Sequence, residues 1–180
     1  MDWDGIDVNA NVNSIPNGSH MSDPTTDLDA RLTFMRENMA NMMKVTPWAN
    51  EMGFEVTRIE KGHIWGRQPF DEKLIGDPET RVIHGGVITT LLDNLCGASC
   101  GAAMKEFRFV ATLDLRIDYM RPAESGRDIL AEAECYHITK SVAFCRAWAY
   151  HETRDKVIAT AQGAFAINQP RTNLKKGAQL

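Results

Sequence analysis

The segment HGGVITTLLDNLCGASCGAAM, residues 84–104, decides the fold of this 180-residue chain. At about 100° per residue its larger aliphatic side chains fall on one side, which predicts a helix over residues 85–104 packed on a sheet. That apolar side consists of Ile88, Leu91, Leu92 and Leu95. Asp93 lies on the other side, among the small or short residues Gly86, Thr89, Thr90, Cys96, Gly97 and Cys100. No Lys or Arg stands three or four residues from Asp93, so the carboxylate lacks a salt-bridge partner within the helix.

The start of this helix carries residues that suit an oxyanion. His84-Gly85-Gly86 places two glycines where backbone N–H groups have no acceptor within the helix. These donors and the positive end of the helix dipole favour a carbonyl oxygen that develops negative charge. With the unpaired carboxylate of Asp93, they indicate a hydrolytic site. The pattern alone leaves a second interpretation open, in which the glycines only permit a tight turn and Asp93 faces solvent.

Strand patterns surround the helix and predict an α+β domain. Before it, a polar connection at 71–83 follows a predicted strand pair at 53–60 and 63–70. After it, odd positions from Phe109 to Tyr119 are apolar and most even ones polar, which predicts a strand with one buried face. Further strands are predicted at 128–139, 141–152 and 157–167. This order predicts one antiparallel sheet against one main helix.

The two ends of the chain differ from this core. Residues 1–20 are rich in Asn, Asp, Gly and Ser and end in Gly18-Ser19-His20, so we interpret them as a leader or tag remnant that is not native. Apolar residues recur at helical spacing from Asp27 to Met43 and predict an extra N-terminal helix, which Thr46-Pro47-Trp48 interrupts. The predicted organisation is a single domain over 21–168, followed by a polar tail at 169–180.

Composition narrows the partners and the compartment. With 20 Lys and Arg against 24 Asp and Glu the net charge is -4, which argues against nucleic acid as a partner. No apolar run approaches the roughly 20 residues that span a bilayer. The N-terminus also lacks the basic segment followed by an apolar one that would predict a secretion signal. The four cysteines form no C-x-x-C pair, so we expect buried thiols in a reducing cytoplasm and no metal site.

Two motifs carry a family resemblance. HGGVITTLLDNLCGA (84–98), followed by ATLDLRIDYMRPA (111–123), resembles the hotdog-fold acyl-CoA thioesterases. The similarity is greatest to the phenylacetyl-CoA thioesterase-like branch of the 4-hydroxybenzoyl-CoA thioesterase superfamily. It implies an antiparallel sheet wrapped around one long central helix, hydrolysis of acyl-CoA without a cofactor, and a cytoplasmic homodimer or homotetramer with no membrane partner.

The resemblance also implies roles for individual residues. Asp93 would act as general base or as nucleophile, the backbone N–H of Gly85, helped by Gly86, would polarise the thioester carbonyl, and Thr112 would position water. The residues implied in substrate binding are His84, Asn94, Tyr119, Arg121, Pro122, His137, Lys140 and Ser141.

One feature of the family pattern is missing, and two features point to shared sites. Many relatives carry Asn or Gln shortly before the HGG motif; this chain has neither, and Asp77 is the candidate to fill that space. Strand alternation turns Thr112 away from the apolar face, which predicts that Thr112 and Asp93 meet only between subunits. The stripe Gly97, Cys100, Gly101 predicts a close neighbour along the helix.

Two other functions remain open from the sequence. A hydratase or dehydratase of acyl thioesters would need a catalytic His in a different motif, which we do not find. A hotdog domain that binds acyl-CoA as a sensor would share the fold without turnover.

Overall fold

The described part of the chain contains one sheet, one long helix and short helical segments. The computed structural model describes residues 47–105 and 108–167, together with Ala30, Leu32, Thr33, Met35 and Glu37. Those five positions are helical, in agreement with the helix predicted over 27–43. Its other positions, residues 1–20 and residues 169–180 lie outside the described residues, and those predictions stay predictions.

Six antiparallel strands form the sheet in the order β1-β2-β4-β5-β6-β3. The strands are β1 (Glu55–Glu60), β2 (His63–Gln68), β3 (Val110–Tyr119), β4 (Ile129–Ile138), β5 (Val142–Tyr150) and β6 (Val157–Ile167). All six lie within two residues of their predicted bounds, because alternation and turn residues are local signals. The order leaves β3 as one edge strand of the sheet.

The long helix, α2 (Gly85–Ala103), packs in the curve of this sheet. Where β4 and β5 face it, the inward residues are small: Ala131, Ala133, Ala147 and Ala149. They let the helix approach closely, and the fully buried Leu91, Leu92 and Leu95 fill the space between. This arrangement confirms the predicted α+β class and the sheet around one central helix.

The C-terminal half of α2 is covered on more sides than the sequence predicted. Cys96 and Cys100 lie on the same side of the helix as Asp93 by helical geometry, and both are fully buried, which confirms the predicted buried thiols. A Cβ at Gly97 would lie 3.5 Å from Val110 Cγ2 and 3.6 Å from Phe165 Cε1, both in the same chain. The stripe is therefore filled by the chain's own sheet, and the expectation that it admits a neighbouring subunit is wrong.

Pro47 begins a helix where the sequence predicted only an interruption. The short helix α1 (Pro47–Met52) buries Ala49 and Met52. Proline fits the first turn of a helix because its missing N–H would have no partner there. Gln68 Nε2 holds the other end by donating to the Met52 carbonyl at 2.8 Å. Proline is common both just after the end of a helix and in its first turn, which explains why the sequence did not predict α1.

Candidate active site

The start of α2 leaves one backbone donor open. His84 caps the helix, with φ -62° and ψ 132°, and its Nδ1 accepts a hydrogen bond from the Gly86 N–H at 2.9 Å. The Gly86 donor, predicted to help Gly85, is thus occupied in this conformation. The Gly85 N–H has no acceptor within the part of the chain that the structure describes. Gly85 is the donor that a substrate carbonyl could reach.

Tyr119, at the end of β3, is tied to this helix start. Its hydroxyl donates to the Gly85 carbonyl at 2.8 Å and lies 2.7 Å from Thr89 Oγ1. A Cβ on Gly85 would sit 3.3 Å from the same hydroxyl, closer than ordinary contacts. The glycine therefore serves the close approach of Tyr119 as well as exposing its own amide.

Asp93 has a hydrogen-bond partner in its own chain. The carboxylate is half-buried, and Thr112 Oγ1 donates to its Oδ1 at 2.8 Å. The prediction that these two residues meet only between subunits is therefore wrong. Within the described residues Oδ2 has no hydrogen-bond partner, so it is free to accept a proton from water.

A β-bulge explains why the alternation misled. The pairing of β3 with β6 shifts between Thr112 and Asp114, so one extra residue, Leu113, enters β3. Such an insertion reverses which face each side chain takes on one side of it. Thr112 consequently faces α2, and Leu113 is 60% exposed although it belongs to the predicted buried face.

Gly163 on β6 makes room for this bulge. A Cβ there would lie 2.8 Å from the Asp114 carbonyl oxygen and 2.9 Å from Leu115 Cδ1. We expect Gly163→Ala to lower the free energy of unfolding by about 1–3 kcal/mol, since backbone must shift to admit the methyl group. Thermal denaturation measures this loss. Gly97→Ala, whose Cβ meets only ordinary contacts, is the matched control, and an equal effect of the two would contradict the role of Gly163.

Gly85 and Asp93 are far apart along the helix. Eight residues at the helical rise separate their Cα atoms by about 12 Å along the axis. A reacting carbonyl needs a donor and a carboxylate-bound water each within about 3 Å. One chain therefore supplies the two halves of the candidate site at different places.

The residues predicted to bind substrate also fall into two groups. Tyr119, Arg121 and Pro122 lie at the end of β3 near the helix start, where Tyr119 pairs with Ala159. His137, Lys140 and Ser141 lie near the other end, since the Ser141 carbonyl accepts from Ile167, which pairs with Val110. Ten residues of β3 separate these ends by about 30 Å. One chain does not bring the groups together.

Two more predicted residues are engaged locally. Asn94 is half-buried, and its Nδ2 donates to the Thr90 carbonyl at 2.8 Å, one turn back on the helix. Asp77 accepts from Thr80 Oγ1 at 2.5 Å and from the Glu79 N–H at 3.0 Å. These bonds lower the pKa of Asp77. Its carboxylate organises a surface turn, so it does not take the place of the missing amide side chain.

The cysteines form a cluster behind the helix. Cys135 and Cys145 are opposed on β4 and β5, and the free thiol of Cys100 lies beside both of them. The contact with Cys135 lowers the pKa of Cys100, but the contact with Cys145 and burial raise it more, to about 12. Because the thiolate is the reactive form, Cys100 is not a nucleophile at neutral pH. The cluster belongs to the packing of the domain.

An apolar cavity, which no sequence pattern predicted, adjoins the helix start. It lies between α1, the short 3-10 helix Glu72–Leu74 with the following Ile75, and the first turns of α2, and its volume is about 530 Å³. Its lining includes Trp48, Met52, Leu74 and Val87, from three separate segments. No sequence pattern pointed to these positions, because the segments that carry them are distant along the chain.

The chain is similar in sequence to a known protein family and to individual proteins. A sequence profile described as the thioesterase superfamily matches residues 81–158. A Halobacterium salinarum protein whose name proposes that it is an esterase is 32% identical to this chain over 94 residues. The match covers 51% of this chain and 61% of the relative. The chain thus spans about three fifths of that relative's length. The medium/long-chain acyl-CoA thioesterase YigI of Salmonella typhimurium is 26% identical over 137 residues, covering 67% of this chain and 85% of YigI.

Solved structures share the architecture. A Pseudomonas aeruginosa protein is 38% identical with a TM-score of 0.66, covering 72% of this chain and 96% of its own. The Escherichia coli PaaI protein from the phenylacetic acid degradation operon is 17% identical with a TM-score of 0.67, covering 77% of this chain and 96% of its own. Within the described residues, no helix is both long and apolar enough to cross a membrane.

Proposed function

The chain belongs to the thioesterase superfamily, and from that premise we propose that it hydrolyses acyl-CoA to a free carboxylic acid and coenzyme A. The observation that carries the proposal is Asp93, whose Oδ1 is held by Thr112 while Oδ2 is unpaired in the described part of the chain. The open Gly85 N–H supplies the donor that a thioester oxygen needs. Water is the second reactant, so the reaction uses no cofactor.

In the proposed mechanism the thioester oxygen accepts from the Gly85 N–H, which stabilises the charge that develops on it. Asp93 Oδ2 takes a proton from water, and the hydroxide forms a bond to the carbonyl carbon. When the tetrahedral intermediate collapses, the C–S bond breaks and the proton on Asp93 passes to the coenzyme A sulfur. The alternative is direct attack by Asp93 on the carbonyl carbon, which breaks the C–S bond, releases the coenzyme A thiolate to take a proton from water, and leaves an anhydride that a second water cleaves to the free acid and Asp93. Single-turnover reaction in ¹⁸O-water separates the two, because only the anhydride route can place ¹⁸O in Asp93.

We further propose that two copies complete each site by pairing their β3 edges. Antiparallel pairing sets the start of β3 in one chain beside the end of β3 in the other. Asp93 and Thr112 of one copy would then face Gly85 of the second copy, which resolves the separation of about 12 Å within one chain. The substrate-binding groups at the two ends of β3 would be joined in the same way.

The exposed apolar residues support this edge as the contact. Among the described residues, six large apolar side chains are more than half exposed, and four of them lie on or next to β3. These four are Phe109, Leu113, Tyr119 and Met120. An exposed edge strand with apolar side chains favours association. Light scattering measures whether the assembly is a dimer or a tetramer, and a fully active monomer would contradict it.

Turnover of an acyl-CoA panel, followed by release of the free thiol, tests the proposed activity directly. Saturable binding of acyl-CoA without release would favour the sensor. Loss of enoyl-CoA absorbance without release of thiol would favour the hydratase. The free thiols of all four cysteines fit our placement of the protein in the cytoplasm.

Arg121 and Lys140 are the proposed contacts to the phosphates of coenzyme A. Both side chains are exposed, and neither has an acidic partner among the described residues. Replacing either by alanine should raise KM for acyl-CoA roughly tenfold, the worth of one charge-assisted hydrogen bond. An acyl-pantetheine substrate, which lacks the nucleotide, is the control, and its KM should change little in either variant. Equal losses for both substrates would place these side chains away from the nucleotide.

A further inference from the structure

The cavity beside the helix start contacts the same turn that carries the proposed oxyanion donor. His84, Gly86, Thr89 and Thr90 form its inner side. The rest of the lining includes Trp48 and Met52 of α1 together with Leu74 and Ile75. Gly85 does not line the cavity itself, but both of its chain neighbours, His84 and Gly86, do, so a carbonyl held at the Gly85 N–H would lie close to this apolar space.

We propose that this cavity receives the acyl group, that the group is an uncharged aliphatic chain of medium length, and that Trp48 determines the length accepted. The inference rests on the proposed thioesterase function. It names the substrate class and a specificity residue for that site.

The size and lining of the cavity point to an aliphatic chain. Its volume of about 530 Å³ lies in the usual range for small-molecule sites, roughly 300–1,000 Å³. A cavity of about 150 Å³ already holds benzene, so an acetyl group or a single ring would leave most of this space unfilled. The lining side chains Met52, Leu74, Ile75 and Val87 are aliphatic, and methionine adapts to a flexible chain.

The charges at the rim select against an anionic tail. Lys73 is the one cation in the lining of this cavity, and its Nζ donates to the Glu51 carbonyl at 3.1 Å. The carboxylates of Glu51 and Asp71 stand 3.8 Å and 3.7 Å from the same Nζ. Two negative charges thus surround one positive charge. A second carboxylate at the far end of the acyl chain would gain no free cation here.

Trp48 of α1 lines the cavity and contacts α2 across it. Its side chain is 61% exposed, yet its Nε1 lies within hydrogen-bond distance of Thr90 Oγ1, at 3.4 Å. Thr90 in turn donates to the Gly86 carbonyl at 2.9 Å. The indole therefore spans from α1 to the first turns of α2, and removing it would extend the cavity outward without touching Asp93.

The test compares Trp48→Ala with Trp65→Ala, a control that removes a tryptophan stacked on His63 away from the cavity. We expect kcat/KM of the wild type to rise from acetyl- to decanoyl-CoA and to fall for palmitoyl-CoA. Trp48→Ala should raise the palmitoyl-to-decanoyl ratio at least about tenfold, since each newly buried methylene is worth a factor of about four. Trp65→Ala should leave the ratio unchanged. An unchanged ratio in Trp48→Ala, with the protein folded by circular dichroism, would overturn the proposal.

A binding experiment keeps this result apart from the proposed activity. Non-hydrolysable acyl-CoA thioethers of increasing length are titrated calorimetrically into the full-length wild type and both variants. The same shift in length preference should appear in Kd, and an analogue with a terminal carboxylate should bind more weakly than its methyl-ended counterpart. A shift in Kd with no turnover of any thioester would refute the proposed function and leave the pocket assigned. Turnover with Kd independent of chain length would refute the pocket and leave the function.

Discussion

Replacing Asp93 by alanine is expected to lower kcat for acyl-CoA hydrolysis by at least about 100-fold, because a positioned general base contributes 10²-fold or more. The loss should fall on kcat rather than KM, since the carboxylate acts on water and not on the bound acyl-CoA. Asp93→Asn should lose as much, because an amide can keep the contact with Thr112 but cannot take a proton. Steady-state kinetics of both variants measures the effect.

Two further variants make the result specific. Thr112→Val should lose less than Asp93→Ala, because it removes the hydrogen bond that orients the carboxylate and leaves the base in place. Thr112→Ser restores the hydroxyl and should recover most of the activity. Asp155→Asn removes an exposed carboxylate from the turn before β6 and should leave kcat unchanged. If folded Asp93→Ala protein kept more than about a tenth of the wild-type kcat, Asp93 would be a structural residue.

The second large effect concerns Gly85 and the sharing of sites. Gly85→Pro should abolish activity, because proline removes the N–H that is proposed to bind the thioester oxygen. The substitution suits the backbone: Gly85 is the first residue of α2, and His84 has the extended ψ of 132° that a residue before proline prefers. Gly85→Ala brings a Cβ to the same contact with Tyr119 but keeps the N–H, so activity that is retained in Gly85→Ala and lost in Gly85→Pro would assign the effect to the donor.

Mixing inactive Asp93→Ala with inactive Gly85→Pro protein should regain activity. If Gly85 of one copy faces Asp93 of another, each hybrid dimer holds one intact site and one site with both defects. Random exchange then yields about a quarter of the wild-type specific activity in a two-fold dimer. Subunit exchange is verified with differently tagged proteins. Exchange without any recovery would confine both residues to one chain and would contradict the shared site.

The sequence by itself determined the secondary structure and the chemistry of the helix. Alternation and helical period placed the six strands and α2 within two residues, because both signals are local along the chain. The sequence also showed that the HGG helix start and Asp93 belong to one helix. The helical rise per residue then fixes the distance between them. The error at Pro47 also has a local cause, because proline is common at both boundaries of helices.

The tertiary structure decided what surrounds each side chain. A buried thiol at Cys100 was predictable from its residue type, but what covers it is decided by the sheet that packs around that end of α2. Thr112 reaches Asp93 through one extra residue in β3, and a bulge depends on the partner strand, here on the space that Gly163 leaves. The cavity unites Trp48, Leu74 and Val87 from segments that no local pattern connects. Periodicity predicts which way a side chain points from its own helix or strand. Burial and contact depend on residues that are distant in sequence and that only packing brings together.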